Sequence, residues 1–372
     1  MELKRFDEAI VSYDQAIAIN PNHTEIFYNR GNTLMELKRF DEAIVSYDQA
    51  IAINPNHTET YNNRGNTLKA LRRFDEALNS YDQAISINPD YPEAYNNRSN
   101  TLKELKQFDK ALVNYNKAIS IDPDYADAYF NKSTLLILRG DYREGWQLYE
   151  WRWKQKHNIN SRRAYKQPLW LGHESLINKT LLITIEQGFG DYIQFIRYAI
   201  LVEKLGAKVV LEAPLALIKL ASTLKGNFIL IETGKQLPAF DYHCPVMSLP
   251  LAFKTKLETI PAALPYLYVD KTKKQQWNKR LGKQVMTRIG LVWTGNPDHK
   301  NDQTRSLLLK QLLTILTLPL EFHSLQKDIR ADDAQTINDL PKIYQHQDEL
   351  KDFTDTAALI DAMDIVISVD TS

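Results

Sequence analysis

The chain has 372 residues, more than one ordinary hydrophobic core organises, so we expect two or three domains. Its 46 Lys and Arg residues balance 46 Asp and Glu residues, which excludes a global field favouring nucleic acid or an anionic membrane. The single Cys244 excludes an internal disulfide framework and fits a reducing compartment. With no visible secretory signal and no sufficiently apolar run, we expect a cytoplasmic protein without a transmembrane segment.

The first part of the sequence repeats itself every 34 residues, as the column Pro21, Pro55, Pro89 and Pro123 shows. Small residues form two further columns, one of them Ala43, Ala77 and Ala111, and tyrosines form a third. This period resembles the tetratricopeptide repeat, a pair of helices whose copies stack into an α-helical solenoid with a concave inner surface. The chain opens within a repeat, so its first residues are expected to be the tail of a first helix.

An aromatic cluster follows the last repeat. Gly145 and Arg152 replace two of the column alanines there, and three tryptophans lie close by in the sequence, Trp146, Trp151 and Trp153. The cluster either caps the solenoid or offers an aromatic platform on which a ligand stacks.

Two asparagine columns run along the first helix of each repeat. The first column is Asn29, Asn63, Asn97 and Asn131, and the second is Asn32, Asn66 and Asn100. Both columns lie on one helical face, because their members are three residues apart. An amide both donates and accepts, so such a ladder can bind the backbone of an extended peptide. The alternative is that asparagine is simply common at these repeat positions.

From about Gln167 the pattern changes to strands that alternate with helices. Strands are predicted in TLLITIEQ, KVVLEAP, FILIETG, FDYHCPVMSLPLAF and YLYVD, and a second series follows in RIGLVWTGNP, LEFHSLQKD and DIVISVD. Such alternation implies parallel sheets joined by right-handed crossovers. Two series in tandem predict an α/β part made of two Rossmann-like lobes, with ligands bound at the carboxyl ends of their strands.

The segment EQGFGD lies at the turn between the first of these strands and the following helix. A dinucleotide-binding fingerprint needs a third glycine where Ile193 stands, although Glu212 could imitate the ribose-binding acid. A nicotinamide-dependent dehydrogenase is therefore a weak alternative. Asp191 is a candidate general base, or else a cap of the helix, and Gly188 and Gly190 either admit a sugar or phosphate or form a plain turn.

Three motifs in order resemble heptosyltransferase-like glycosyltransferases, which have the GT-B fold of two facing Rossmann-like lobes. They are GFGD, WTGNPDHKNDQTRS and VISVDTS, and the resemblance covers most of residues 168–372. It implies an inverting, metal-independent transfer with Asp191 as the base, a nucleotide-sugar as the donor and no cofactor. The donor phosphates and sugar would be bound by Gly188, Gly190, Lys300, Arg305, Asp370, Thr371 and Ser372. Repeats joined to a GT-B enzyme are also the general plan of O-linked N-acetylglucosamine transferases.

We therefore expect a repeat array at 1–157 with a C-terminal cap, a linker at 158–178, an acceptor lobe at 179–270 and a donor lobe at 271–372. Because the chain stops inside the third motif, the donor lobe is expected to be truncated and the chain to be a fragment. The predicted function is glycosyl transfer to an acceptor hydroxyl, with a protein or peptide bound by the repeats. The alternative is a tetratricopeptide scaffold for protein–protein interaction, whose α/β module is catalytically inactive.

Overall fold

A computed structural model describes residues 2–156, 158, 163–297, 302–339 and 343–370. The chain divides into two compact units, Met1–Arg163 and Ala164–Ser372. None of the described helices is long and apolar enough to cross a membrane.

The described part of the first unit is helical. Its helices are α1 (Glu2–Ile19), α2 (Thr24–Glu36), α3 (Phe40–Ile53), α4 (Thr58–Ala70), α5 (Phe74–Ile87), α6 (Pro92–Glu104), α7 (Phe108–Ile121), α8 (Ala126–Arg139) and α9 (Tyr142–Tyr149). Consecutive helices pack on each other, as expected of helix pairs stacked into a solenoid. The expected tail of a first helix is wrong: residues 2–5 continue directly into α1.

Tyrosine and alanine columns form the core of this unit. Tyr47, Tyr81 and Tyr115 are fully buried, together with alanines of both columns. Glycine is required opposite two of these rings, because a Cβ atom at Gly31 or Gly65 would lie 2.5 Å from a ring carbon of Tyr47 or Tyr81. The small residues therefore let the two helices of a repeat approach closely enough to enclose the ring.

The turn between the two helices of each repeat needs a left-handed residue. Lys38, Arg72 and Lys106 adopt φ values of 59°, 61° and 58°, and Gly140 has φ 87° at the corresponding place in the last pair. A side chain at positive φ crowds its own backbone, so the first three turns are strained relative to the fourth.

The aromatic cluster packs onto α8. The Trp151 ring is stacked on that of Tyr129 with centroids 3.8 Å apart, and Arg152 is buried between aromatic rings. A Cβ atom at Gly145 would lie 2.8 Å from the side chain of Ile137, so glycine permits the close approach of α9 to α8. These contacts are of the kind that the cap interpretation requires.

The second unit contains two small parallel sheets. The strands are β1 (Thr180–Thr184), β2 (Lys208–Ala213), β3 (Phe228–Glu232) and β4 (Tyr242–Pro245) in one sheet, and β5 (Arg288–Val292), β6 (Glu321–Ser324), β7 (Ile343–Tyr344) and β8 (Ile365–Ser368) in the other. The strand orders are β3-β2-β1-β4 and β7-β6-β5-β8, and every pairing is parallel. Apolar runs such as Leu181–Ile183 are fully buried, as central strands of covered parallel sheets are.

Short helices connect these strands. They are α10 (Phe189–Phe195), α11 (Ala199–Lys204), α12 (Leu215–Ala221), α13 (Leu249–Ala252), α14 (Lys271–Leu281), α15 (Asp302–Arg305), α16 (Leu313–Leu316), α17 (Ala331–Asp339) and α18 (Phe353–Asp361). Helix α12 packs on α18, where the Lys219 Nζ atom lies 2.8 Å from the Asp352 carboxylate. This contact joins a helix of the first sheet to one of the second.

The strand predictions differ from the structure in two places. YLYVD (266–270) forms no strand. The backbone N–H of Tyr268 donates to the Thr223 hydroxyl, so it is not available to a neighbouring strand, and the Tyr266 side-chain hydroxyl donates to the Ile193 carbonyl. Strand β7 was not predicted, since two residues give no periodic signal. In the segment expected to be a linker, Trp170 is buried and its backbone N–H donates to the carbonyl of His243 in β4.

Candidate functional site

The first asparagine column is engaged in bonds between repeats. The Nδ2 group of Asn63 donates to Asn32 Oδ1 at 2.9 Å. In the next repeats, Asn97 and Asn131 donate in the same way to Asn62 and Asn96, at 2.9 and 3.0 Å. These amides tie neighbouring repeats together. Asn29 makes no side-chain hydrogen bond to the described residues.

The second column is oriented by the buried tyrosines. The hydroxyls of Tyr47, Tyr81 and Tyr115 donate to the Oδ1 atoms of Asn32, Asn66 and Asn100, at 2.8, 2.9 and 2.6 Å. Each bond holds the amide oxygen inward. Within the part of the chain that the structure describes, the Nδ2 groups of these three asparagines donate to nothing.

The two columns therefore have different capacities. We define the donor face as the half-buried Asn32, Asn66 and Asn100 with their unused Nδ2 groups. The sequence predicted one peptide-binding ladder, but the structure divides it into a column that connects repeats and a column with donors to spare. Neither the charge nor the periodicity of the sequence indicates this division. It depends on a tyrosine that lies 15 residues after each asparagine of the second column.

Asp191 is the third residue of α10, directly after the turn that follows β1. Its carboxylate accepts a hydrogen bond from the Gly188 N–H at 3.3 Å, so it caps its own helix. Neither Gly188 nor Gly190 has a positive φ; the left-handed residue of the turn is Gln187, with φ 59°. A methyl group at Gly188 would meet only the Asp191 carboxylate, at 3.7 Å, so the turn itself does not require that glycine.

The loop after β5 is held by polar side chains that the sequence did not single out. Gln326 Oε1 accepts from the backbone N–H groups of Trp293 and Thr294 at 2.8 and 2.7 Å. Asp333 Oδ2 accepts from the Trp293 indole at 2.9 Å. These groups fix the start of WTGNP rigidly at the carboxyl end of the strand.

Further along this loop, Asp302 lies between cations. Arg330 Nη2 donates to Asp302 Oδ1 at 2.7 Å and to the Gly295 carbonyl at 2.8 Å. The hydrogen bonds from Arg330 and Ser306 lower the pKa of Asp302. Arg305 lies against Gly295, where a Cβ atom would be 2.6 Å from its guanidinium, and its buried Nε has no hydrogen-bond partner among the described residues.

The remaining predicted donor-site residues are less informative. Asp370 follows β8 and is exposed. Lys300, Thr371 and Ser372 lie outside the described residues. Glu212, the candidate ribose-binding acid, is buried at the end of β2.

Family models match only the first unit. Residues 24–57 and 58–91 match a model described as tetratricopeptide repeat, and 80–113 match a second model of that description. Residues 1–38 and 99–132 match a TPR repeat model, so the matches together span 1–132. No curated protein matches the chain.

Several solved structures are similar to part of this chain. MamA is 24% identical over 42% of this chain and 92% of its own, with a TM-score of 0.38. A thermophilic TPR protein in Thermus thermophilus is 21% identical over 43% of this chain and 88% of its own, with a TM-score of 0.38. YrrB, a TPR protein with an unusual peptide-binding site, is 19% identical over 39% and 75%, with a TM-score of 0.34. From the family-model matches and the helix pairs, residues 1–132 are tetratricopeptide repeats.

Proposed function

We propose that the first unit is a protein-interaction module that binds an extended peptide segment along the donor face. One observation carries this proposal: Asn32, Asn66 and Asn100 have their amide oxygens fixed by buried tyrosines and their Nδ2 groups unused. An extended chain presents backbone carbonyls that are unpaired and accept such donors.

Fixed orientation makes these donors effective. An amide that is held in one rotamer loses little further entropy when a ligand binds, so more of the hydrogen-bond energy appears as affinity. Backbone carbonyls are present in every sequence, so this contact sets the mode of binding rather than the choice of partner. Side-chain contacts elsewhere in the array would add the selectivity.

The test uses a random dodecapeptide library displayed on phage. Asn66→Asp with Asn100→Asp keeps an oxygen for each tyrosine hydroxyl but replaces the unused donor with an acceptor. Asn22→Asp with Asn116→Asp adds the same two charges at exposed positions and serves as the control. Circular dichroism checks that all variants keep their helices.

The proposal expects peptides selected by the unaltered chain to lose at least about tenfold in affinity for the first double variant, which corresponds to one or two hydrogen bonds. Their affinity for the control should be unchanged. Selection of no peptide, or of peptides that bind both variants equally, would contradict the proposal.

As a second function, we propose that the other unit transfers a sugar from a nucleotide-sugar to an acceptor hydroxyl. The observation that favours it is the pair of wholly parallel sheets with matching strand orders. Candidate residues follow their carboxyl ends: Asp191 after β1, Arg305 after β5 and Asp370 after β8. Parallel sheets bind ligands at that edge.

In this proposal Asp191 takes the proton of the acceptor, and Arg305 binds a donor phosphate through its fork of N–H groups. The experiment is a calorimetric titration of the chain with UDP-, GDP- and ADP-sugars in EDTA, followed by an assay for sugar release. Binding that Arg305→Gln weakens would support transfer. No binding of any donor would leave the alternative, a catalytically inactive module attached to a scaffold.

A further inference from the structure

The second sheet exposes apolar side chains at its amino edge, where its parallel strands begin. The loop between α14 and β5 carries Val285 and Met286, which are 86% and 45% exposed. Leu318, shortly before β6, is exposed as well. The Glu321 N–H donates to the Thr287 carbonyl at 3.0 Å, so the segments that lead into β5 and β6 run side by side.

This loop, residues 282–287, is anchored to its surroundings. Arg288 Nη2 donates to two backbone carbonyls at the end of α14, at 3.2 and 3.1 Å, which connects that helix to the start of β5. The Gln284 amide donates to the Asp364 carboxylate, next to β8, at 2.5 Å. The two apolar side chains are therefore presented to solvent by a loop whose neighbouring residues are bonded.

Unpaired cations flank the loop. Lys279, in the last turn of α14, and Lys283, just after its C-cap, form no ion pair within the part of the chain that the structure describes. Acids around the loop are bonded to donors: Asp364 to Gln284, Glu321 to Arg288 and Glu349 to Arg280. The amino edge therefore presents positive charge beside its apolar side chains, although the chain as a whole is neutral.

We infer that the amino-edge surface, formed by Val285, Met286, Leu318, Lys279 and Lys283, docks on an anionic lipid surface. Exposed apolar side chains beside lysines match a bilayer interface, where acyl chains lie beneath phosphate groups. Fluid lipid needs no shape-matched pocket for the apolar side chains, whereas a protein partner does. A second copy of the chain is disfavoured, because a two-fold contact would bring like charges together.

Docking in this way leaves the carboxyl edge of the same sheet open, because the two edges are at opposite ends of the strands. Arg305 follows β5 and Asp370 follows β8 at that other edge. The inference concerns the surface on which the protein works and depends neither on peptide binding by the repeats nor on sugar transfer.

The test is co-sedimentation of the full chain with vesicles of phosphatidylcholine, alone or in a three-to-one mixture with phosphatidylglycerol. Val285→Ser with Met286→Ser removes apolar side chains and keeps the charge. Lys279→Gln with Lys283→Gln does the reverse. The controls make the same changes at exposed sites of the first unit: Val113→Ser with Leu138→Ser, and Lys110→Gln with Arg143→Gln.

The chain should bind the mixed vesicles at least tenfold more tightly than phosphatidylcholine alone. The lysine variant should weaken that binding by about 25-fold, since each lysine near an anionic surface contributes about fivefold. The serine variant should weaken it by at least about tenfold, and both controls should bind as the unaltered chain does.

Absence of binding to the mixed vesicles, or binding that both variants retain, would overturn the inference. Analytical ultracentrifugation and titration with soluble polyglutamate test the other occupants. A dimer that the serine variant dissociates would assign the surface to contacts between copies. Tight binding of polyglutamate that only the lysine variant loses would assign it to an acidic protein, and either result would also overturn lipid docking.

Discussion

The Tyr81 hydroxyl donates a hydrogen bond to Asn66 Oδ1 at 2.9 Å, from a ring that is completely buried between helices of its repeat. The same relationship recurs between Tyr115 and Asn100. A packing residue thus orients a half-buried amide. The orientation of the donors that we propose for peptide binding is therefore coupled to the core of the array.

This coupling predicts the effect of removing the hydroxyl oxygen from two of these tyrosines. Tyr81→Phe with Tyr115→Phe keeps both rings but lets each amide rotate between two orientations, so each is binding-competent about half the time. Apparent affinity for a selected peptide should fall about fourfold. Stability should fall by about 0.5–1.5 kcal/mol per lost bond. Urea unfolding and anisotropy measure the two effects, and an unchanged affinity would show that the hydroxyls do not orient the amides.

The first asparagine column should matter for stability. Asn63→Ala removes the donor that reaches Asn32 and Tyr28, so we expect a loss of about 1–2 kcal/mol in urea unfolding. Asn29→Ala is the matched control, because Asn29 has no such bond to the described residues. A loss as large for Asn29→Ala would refute the assignment of inter-repeat bonds.

The turns offer a way to stabilise the array. Lys106→Gly removes the crowding of a side chain at φ 58° and reproduces the residue at position 140, so stability should rise by about 0.5–1 kcal/mol. Lys110→Gly, in the helix that follows, should instead cost about 1 kcal/mol. A decrease in thermal stability for both variants would contradict the left-handed turn.

Part of this could be predicted from the sequence. The repeats could be predicted, because the proline, alanine and tyrosine columns are local signals that recur along the sequence. The orientation of the Asn66 amide could not be predicted, since it depends on a hydrogen-bond partner in another helix. The loop after β5 was predicted as a motif, but Gln326 and Asp333, which hold it, come from distant segments without any pattern of their own.

A buried histidine pair predicts acid sensitivity of the second unit. His323 and His346 lie 3.0 Å apart, and His323 also lies 3.0 Å from Glu321. Each neutral imidazole ring carries one N–H group, so the two rings supply one donor for each of these two bonds. The contact of His346 with Glu349 is longer, at 3.4 Å. Burial, together with the neighbouring His346, lowers the pKa of His323 to about 4.

The unfolded chain binds a proton at His323 near pH 6.5, whereas the folded chain does so only near pH 4. The contribution of His323 to the free energy of unfolding is therefore fully present above pH 6.5. It is lost as the pH drops towards 4, by on the order of 2–3 kcal/mol. Amide exchange of β6, corrected for intrinsic rates, measures this slope. His323→Gln should flatten it, whereas the exposed-site variant His23→Gln should leave it unchanged; equal slopes in all three would disprove the assignment.

The Asp191→Asn variant distinguishes a general base from a helix cap. Asparagine can still accept the Gly188 N–H but cannot take a proton, so the proposed glycosyl transfer should fall by about 100- to 10,000-fold with folding nearly unaffected. The measurement is turnover with a donor that the chain binds. Full activity would reduce Asp191 to a helix cap, and unfolding would make its role structural.

The side-chain amide resonances of the asparagines test the central claim most directly. In a ¹⁵N-labelled chain titrated with a selected peptide, the Nδ2 signals of Asn32, Asn66 and Asn100 should shift as their unused donors become bonded. Those of Asn63, Asn97 and Asn131, already bonded between repeats, should move much less. Shifts confined to the second group, or absent from both under saturating peptide, would contradict binding along the donor face.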